Sequence, residues 1–404
     1  MKFIDLFAGI GGFRSGMEMN GHECVAFCEI DKYARQSYKA IYDTEGEEEI
    51  HDITKWTDEH IREFKRRTGT IDCITGGFPC QSFSIAGKRG GFDDTRGTLF
   101  FEIMRIANII RPRYLFLENV KGLLNHDGGA TFETILNTLD EFGYDAEWQN
   151  LNSKNFGVPQ NRERVFIIGH LRGAGGRAVF PVGGADTTII KPHGQTQESR
   201  EWVFPTIYTK AHRGDATYIS EAGPPRVLDD QGRIKDNYKT SDIVPTLRAQ
   251  SHGNEPKVVQ PILTPDRIKK RQNGRRLKEG GEPMFTLTAQ DRHGIAIREA
   301  TKKGYKVAKE GDSVNLQYTG SETRRGRVGK GVANTLEASG INQGVVNKDL
   351  RIRKLTPLEC WRLQGFTDEQ FYKAKNDGVS DSQLYKQAGN SVTVNVIDAI
   401  ARKL

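Results

Sequence analysis

The sequence of 404 residues has few cysteines and no long apolar run. Its five cysteines, at positions 24, 28, 73, 80 and 360, are an odd number without paired spacing, which argues against a disulfide framework. Cys24 and Cys28 are four residues apart, but no second Cys/His pair follows at metal-ligand spacing, so we expect no zinc site. No segment approaches the roughly 20 apolar residues of a membrane helix, and the first residues, MKFIDLF, lack the apolar core of a signal peptide. We therefore expect a cytoplasmic protein without membrane contact.

Positive charge is concentrated in one part of the chain. The formal net charge is +7. Residues 185–350 contain 28 Lys and Arg against 20 Asp and Glu, whereas the rest of the chain contains 31 against 32. The densest stretch, RIKKRQNGRRLK at 267–278, is most simply a solvated basic face, but the excess is also typical of a segment that contacts a polyanion.

Residues 1–175 alternate strand-like and helix-like segments. Buried strands are predicted for FIDLF, CVAFCEI, IDCITGG, YLFLENV and RVFIIGHL, with helical periodicity between them in segments such as DKYARQSYKAIY and TLFFEIMRIANII. This alternation predicts parallel βαβ units and therefore an α/β domain with a mostly parallel sheet.

The pattern changes after residue 175. Residues 176–348 are rich in Gly, Thr, Arg and Gln and show no long amphipathic helix, which predicts a smaller, mostly-β domain. A weak repeat within it shares Thr-Leu, then Ala, then a polar turn, and starts at Thr246, Thr286 and Thr335. The three copies are either similar β-hairpins or loops that present polar side chains to a nucleic acid. Helical periodicity returns in 349–404, and we expect this part to fold back onto the first domain.

The first strand ends in a glycine-rich turn, AGIGG, before a helix. Gly9 and Gly11 there let a ligand approach the backbone closely, although many α/β folds have such a turn for steric reasons. The next strand ends in Glu29 and Asp31, about 20 residues later, where a ribose hydroxyl acceptor belongs. Asp52 follows the third strand region. These residues indicate a nucleoside cofactor, without the GxGxxG pattern of pyrophosphate binding.

Chemically active side chains follow the later strands. Cys80 comes after a strand and a Gly-Gly-Phe-Pro turn, although a single cysteine is usually buried and inert. Glu118 lies at the end of YLFLENV. Arg162 and Arg164 alternate with Gln160 on an incoming strand and so share one face. The arginines either pair with acids or hold a base carbonyl or phosphate.

Six ordered blocks resemble those of the bacterial and phage cytosine-C5 DNA methyltransferases of restriction–modification systems: FIDLFAGIGG, GGFPCQSFS, ENVKGLL, QNRERVFIIG, RKLTPLECWRLQGF and YKQAGNSVTVNVI. The resemblance covers residues 1–170 and 350–404, and between them only the Thr-Leu element. One departure is Thr367, where the family usually has proline. The resemblance implies an S-adenosylmethionine-dependent, Rossmann-like methyltransferase fold with an inserted, mostly-β target-recognition domain.

The resemblance also implies S-adenosylmethionine as methyl donor and assigns roles to residues. Those implied for the cofactor pocket are Phe7, Gly9, Gly11, Glu29, Ile30, Asp52, Ile53, Leu99, Asn390 and Ser391. Those implied for catalysis are Cys80, Glu118, Arg162 and Arg164. Those expected to contact DNA are Gln81, Ser84, Lys88, Gln160, Thr335 and Leu336, with the Thr-Leu copies at Thr246 and Thr286 as alternatives for the target cytosine.

These groups suit one reaction. Carbon 5 of cytosine is a weak nucleophile, and addition of the Cys80 thiolate to carbon 6 turns the ring into an enamine that accepts a methyl group at carbon 5. Glu118 would protonate ring nitrogen 3, and an arginine would neutralise charge on the carbonyl oxygen. The base must leave the duplex stack, because carbon 6 cannot be reached inside it.

Three other interpretations are weighed against this one. A cytosine-C5 transfer RNA methyltransferase would use the same cysteine and glutamate, but its recognition region tends to be smaller than this basic insert. A catalytically silent DNA-binding regulator predicts a damaged catalytic block. A nicotinamide oxidoreductase would leave Cys80 and QNRER without a role. We therefore expect a protein that binds double-stranded DNA. We also expect a monomer, with a restriction endonuclease that acts on the same short site as a candidate partner.

Overall fold

The computed structural model describes residues 1–79, 99–183, 259–263, 293–302, 304–317, 323–338, 343–347 and 352–404. Seven strands form its central sheet: β1 (Lys2–Leu6), β2 (Glu23–Cys28), β3 (Glu48–Ile50), β4 (Cys73–Gly77), β5 (Tyr114–Val120), β6 (Tyr144–Asn152) and, after the short strand β7 (Gln160–Asn161), β8 (Glu163–Leu171). Their order across the sheet is β3-β2-β1-β4-β5-β8-β6. The pairs between β1, β2, β3, β4 and β5 are parallel, which confirms the predicted mostly parallel α/β sheet.

Strand β8 is the exception, since it runs antiparallel to both of its neighbours, β5 and β6. The sequence analysis placed RVFIIGHL among parallel units and did not identify β6. The link from β6 to β8 holds only a short 3-10 turn (Ser153–Phe156) and β7. A parallel return needs a crossover of a dozen or more residues, so this link permits only an antiparallel neighbour.

Helices cover both faces of the central sheet. The helices that precede the inserted region are α1 (Gly12–Glu18), α2 (Lys32–Ile41), α3 (Asp58–Thr68), α4 (Leu99–Ile110) and α5 (Ala130–Glu141). Apolar residues of α3, α4 and α5 pack in one buried cluster on the first face. On the second face, Phe13 and Met17 of α1 share a cluster with residues of the C-terminal helix. The sheet is therefore the middle of three layers.

Four helices follow the inserted region: α6 (Pro357–Leu363), α7 (Asp368–Asn376), α8 (Asp381–Asn390) and α9 (Val394–Ala401). Helix α9 lies against α1 so closely that a Cβ on Gly16 would be 2.6 Å from the Cβ of Ile397. Thr367, the departure from the family pattern, is the N-cap of α7 and forms a capping box with Gln370. Helix α9 of the C-terminal part thus packs against α1 of the first domain. None of the helices described is long and apolar enough to cross a bilayer.

The regular elements described in the inserted region are strands. One sheet has the order β11-β10-β9 and a second the order β13-β12-β15-β16. These strands are β9 (Val259–Leu263), β10 (His293–Arg298), β11 (Tyr305–Ala308), β12 (Ser313–Asn315), β13 (Val328–Gly329), β14 (Ala333–Asn334), β15 (Gln343–Val346) and β16 (Ile352–Lys354). Strand β16, which the sequence analysis placed in the C-terminal part, pairs with β15. Strand β14 pairs with β7, which joins the smaller domain to the edge of the first.

Candidate active site

The strand order reverses between β1 and β4. Strands β2 and β3 lie on one side of β1, whereas β4 and β5 continue in the other direction. In an open parallel sheet, the loops that leave the carboxyl ends of two such strands diverge and leave a crevice. Here those loops begin at Phe7, after β1, and at Phe78, after β4. The predicted cofactor turn and the predicted catalytic loop therefore start on adjacent strands.

The glycine turn after β1 has a left-handed backbone at three positions. Phe7, Gly9 and Gly11 all have positive φ angles, of 53°, 56° and 81°. A Cβ on Gly11 would lie 2.3 Å from the ring of Tyr42, so the turn needs glycine there for space as well as for conformation. The predicted Phe7, Gly9 and Gly11 therefore form one tight turn at the crevice.

Glu29 is held beside this turn by two backbone N–H groups. Its Oε2 accepts a hydrogen bond from Gly9 N at 2.8 Å, and its Oε1 accepts one from Asp31 N at 2.7 Å. Burial raises the pKa of Glu29, and the hydrogen bonds from Asp31 and Gly9 oppose this. Asp31 in turn is the N-cap of α2 and pairs with Lys386 of α8 at 2.6 Å. The Glu29 carboxylate is thus held by the glycine turn and by its own loop, and Lys386 ties that loop to α8.

The other predicted cofactor residues follow β2, follow β3 or begin α4, and they differ in exposure and in polarity. Ile30 follows Glu29 and is 73% exposed, which is unusual for an isoleucine. Asp52 is the N-cap of a short turn (Ile53–Lys55), and its Oδ1 accepts from Thr54 N at 3.0 Å. Ile53 is buried, and Leu99 packs, half-buried, against the cluster that contains Ile53. The exposed side chain of Ile30, which lies between Glu29 and Asp31 in the chain, is an apolar surface that suits a nucleoside.

The C-terminal block meets the glycine turn. A Cβ on Gly12 would lie 2.8 Å from the Oγ of Ser391 and 2.7 Å from Val392. Ser391 is buried and follows the exposed Asn390 at the end of α8. Both residues were predicted to complete the cofactor pocket, and the structure places Ser391 beside the first turn of α1.

Glu118 and Arg164 form an ion pair at the carboxyl end of the sheet. Arg164 Nε lies 2.9 Å from Glu118 Oε1, and both side chains are largely buried. Glu118 pairs with Phe166 across the β5–β8 ladder, so Arg164, two residues away, is its diagonal neighbour on the same face. Gly77 of β4 is the ladder partner of Glu118 on the other side, and a Cβ there would lie 3.1 Å from Glu118 Oε2. The predicted acid and arginine therefore meet beside the strand that leads to Cys80.

Arg162 has different surroundings. It is 3% exposed and donates to three backbone carbonyls, those of Leu336 at 3.2 Å, Gly389 at 3.1 Å and Ser391 at 2.8 Å. Burial and the nearby Arg164 lower its pKa to about 9, which Glu118 partly opposes. The guanidinium thus joins the Thr-Leu element and the C-terminal block rather than the ion pair of Arg164.

The copy of the Thr-Leu element at Thr335-Leu336 lies against the same edge. Thr335 Oγ1 donates to Asn161 O at 2.8 Å, and the buried Gln160 accepts from Leu336 N at 3.2 Å. Gln160 also donates to Leu363 O at 2.8 Å. This copy is therefore built into the junction of the two domains. The copies at Thr246 and Thr286 lie outside the described residues.

Cys80, Gln81, Ser84 and Lys88 also lie outside the described residues, but the turn that leads to them is described. Asn119, which follows Glu118, donates from Nδ2 to Phe78 O at 2.8 Å and is 2% exposed. This hydrogen bond fixes the backbone two residues before Cys80 to the strand that carries Glu118. Among the described residues, no cluster of three or more His, Cys, Asp or Glu side chains could hold a metal ion.

The four described cysteines are buried thiols: Cys24, Cys28, Cys73 and Cys360. Burial raises the pKa of each, to about 12 for Cys28 and Cys360. A nucleophilic cysteine needs an accessible thiolate, so none of these four suits that role.

Asp5 is a buried carboxyl group that the sequence analysis missed, although an acid inside the apolar run FIDLF is a visible signal. It has no exposed surface and accepts from Thr75 Oγ1 at 3.1 Å and from Tyr38 OH at 3.3 Å. Burial raises its pKa to about 8, against the opposing effects of the Thr75 hydrogen bond and of Arg14. Burial therefore favours the neutral form of Asp5, and the nearby Glu29 favours it as well.

We expect the Asp5→Asn variant to change how stability depends on pH. Because the pKa of Asp5 in the folded protein lies above its ordinary value of 3.8, the native state holds an extra proton between that value and about pH 8, and stability falls as the pH rises through this window. Asparagine does not titrate, so the variant should lose less stability, by up to about 1.4 kcal/mol per pH unit. Urea unfolding at about pH 5.5 and 7.5 measures this. Asp377 is exposed, so Asp377→Asn should lose as much stability between these pH values as the wild type. If Asp5→Asn also lost as much as the wild type, the raised pKa assigned to Asp5 would be contradicted.

Comparisons with known proteins bear on this site. The whole chain, residues 1–404, matches the family described as C-5 cytosine-specific DNA methylase. The chain is 33% identical over 484 residues to the orphan methyltransferase M.SPBetaI of Bacillus phage SPbeta, covering 100% of this chain and 97% of that protein. It is 34% identical over 406 residues to the type II methyltransferase M.HpaII of Haemophilus parainfluenzae, covering 100% and 88%. A crystal structure of a putative DNA modification methyltransferase encoded within an Escherichia coli prophage has the same fold, with a TM-score of 0.54 and 20% identity over 100% of this chain and 98% of that one.

Proposed function

Because the chain belongs to the family of C-5 cytosine-specific DNA methylases, we propose that its DNA (cytosine-5-)-methyltransferase reaction proceeds through an adduct between the sulfur of Cys80 and carbon 6 of a flipped-out cytosine. The observation that carries this proposal is the Glu118–Arg164 ion pair, which lies beside Gly77 on the strand that leads to Cys80. The buried state of the other four cysteines supports the choice of Cys80.

We propose that the crevice at the ends of β1, β2 and β3 binds S-adenosylmethionine. The glycine turn leaves room for a ligand, Glu29 is oriented toward it by two N–H groups, and Ile30 offers an exposed apolar surface. Glu29 would accept from the ribose hydroxyls, and Ile30, Asp52 and Ile53 would contact the adenine. When bound, the cofactor supplies an electrophilic methyl group on a sulfonium.

The protein's own groups would act on the cytosine. Glu118 would protonate ring nitrogen 3 while the thiolate of Cys80 adds to carbon 6, which makes carbon 5 nucleophilic. Arg164, which lies beside Glu118, would neutralise the negative charge that develops on the carbonyl oxygen of the cytosine. After transfer, a base removes the proton from carbon 5 and the Cys80 sulfur leaves. We assign Arg162 a positioning role, because its donors are directed to backbone carbonyls.

We propose that the smaller domain recognises a short duplex site. The basic excess of residues 185–350 suits contacts to phosphates, and Thr335-Leu336 lies where the domain joins the catalytic edge. Relatives named as a type II and as an orphan phage methyltransferase suggest that the modification protects bacterial or phage DNA from restriction. A type II system would add an endonuclease that acts on the same site. We propose a monomer that works in the cytoplasm.

The test is methyl transfer from labelled S-adenosylmethionine to unmethylated bacterial duplex DNA, with total transfer RNA in a parallel reaction. We expect label in DNA, recovered as 5-methylcytosine, and mapping of the modified positions should give a short site. Label in transfer RNA alone would overturn the DNA assignment. DNA binding without label in either nucleic acid would favour a silent regulator.

A further inference from the structure

The segment from Asp52 to Asp58 links β3 to α3 and carries two of the proposed adenine contacts, Asp52 and Ile53. It contains a single 3-10 turn, Ile53–Lys55, in which the Asp52 side chain accepts from Thr54 and Asp52 O accepts from Lys55 N at 2.9 Å. Ile53 O accepts a long hydrogen bond from Trp56 N at 3.3 Å, and so short a turn holds few other internal bonds. Further bonds from groups elsewhere in the chain add to these in holding its conformation.

Arg105 of α4 supplies those groups. Its Nη2 donates to Ile53 O at 3.2 Å and to Trp56 O at 2.9 Å. Its Nη1 donates to Asp58 Oδ1 at 2.6 Å, at the first residue of α3. Glu102, one turn earlier on α4, accepts from Nε at 2.9 Å and from Nη2 at 2.7 Å and so orients the guanidinium. One planar group thus holds both ends of the segment to α4.

We propose that Arg105 is a positioning residue for S-adenosylmethionine, which holds the Asp52–Asp58 segment in its binding conformation without touching the cofactor. This inference rests on the proposed adenine contacts at Asp52 and Ile53. A segment that is already ordered avoids the conformational entropy cost of being ordered by the ligand, so its loosening weakens binding and leaves the chemical step unchanged. Lysine cannot replace this arginine, because a single ammonium group cannot span two carbonyls and a carboxylate in a fixed plane.

The chain offers a matched control in Arg62. This arginine lies on α3 and approaches the same Asp58 carboxylate, with 3.7 Å between Arg62 Nη2 and Asp58 Oδ2. Its side chain is 57% exposed. Arg62→Met therefore removes a positive charge from the same carboxylate but leaves the Arg105 contacts with Ile53 and Trp56 in place.

The experiment compares Arg105→Lys and Arg62→Met with the wild type. We expect Arg105→Lys to raise the Kd of S-adenosylmethionine, measured by calorimetry, and its KM at saturating DNA by about tenfold, with kcat within about twofold. Hydrogen exchange of residues 52–58 should be faster in this variant without cofactor, whereas Arg62→Met should match the wild type in every measurement.

Three results would overturn the proposal. The first is an unchanged Kd in Arg105→Lys, and the second is a fall in kcat with KM unchanged. The third is a loss of protection throughout the sheet in hydrogen exchange, which would show that Arg105 supports the whole fold. A wild type that binds no S-adenosylmethionine would instead refute the proposed function, so the two failures are distinguishable.

Discussion

Cys80→Ala is expected to abolish methyl transfer to DNA, with a loss of about 10⁴-fold or more, while the affinities for S-adenosylmethionine and duplex DNA stay close to those of the wild type. Without the sulfur at carbon 6, carbon 5 has no enamine character and cannot attack the methyl group. Initial rates of label incorporation measure the loss, and calorimetry checks cofactor binding.

A second readout observes the bond itself. In DNA that carries 5-fluorocytosine at the target, carbon 5 has no proton to lose after methyl transfer, so the sulfur cannot leave and the protein stays attached. The wild type should give a complex that resists denaturation in detergent, and Cys80→Ala should give none. Cys360→Ala is the control, because this thiol is buried and its pKa is raised to about 12. A trapped complex in Cys80→Ala would contradict the proposed nucleophile.

Sequence periodicity predicted the central sheet well where each strand is a continuous apolar run. Strand β5 is buried on both faces, and its first four residues, YLFL, therefore form an unbroken apolar run. Strand β6 was missed because most of its residues are only half-buried, so its pattern is neither continuous nor alternating. The reversed direction of β8 follows from the short link before it, which periodicity does not reveal.

The sequence predicted which residues belong to the site. It did not predict which groups they contact, because those contacts depend on the tertiary fold. Alternation placed Arg162 and Arg164 on one face, yet only Arg164 reaches Glu118. Arg162 instead meets carbonyls of Leu336 and Gly389, which are distant in sequence and are brought near by the domain junction and by α8. Arg105 gave no signal at all, because it occupies an ordinary position in a helix and binds backbone groups that no sequence pattern records.

Glu118 and Arg164 would stabilise the reacting cytosine in two different ways. The arginine is a permanent cation and can only neutralise negative charge on the carbonyl oxygen. The carboxyl group can transfer a proton to ring nitrogen 3. Glutamine at position 118 would keep the shape, could still accept from Arg164 Nε and could donate a hydrogen bond to ring nitrogen 3. It could not transfer a proton, so this substitution separates hydrogen bonding from acid catalysis.

We therefore expect Glu118→Gln to lower kcat by about 10³-fold, within the range usual for a lost general acid, with little change in the Kd values of DNA and cofactor. Glu163→Gln is the matched control, since Glu163 is an exposed neighbour that approaches Lys121 at 3.5 Å, and its kcat should stay within about twofold of the wild type. The trapped complex with 5-fluorocytosine should still form in Glu118→Gln but more slowly, in proportion to kcat, because sulfur addition is the step that needs the proton. If kcat in Glu118→Gln stayed within tenfold of the wild type, hydrogen bonding alone would suffice at nitrogen 3, and Glu118 would be a binding group rather than the acid.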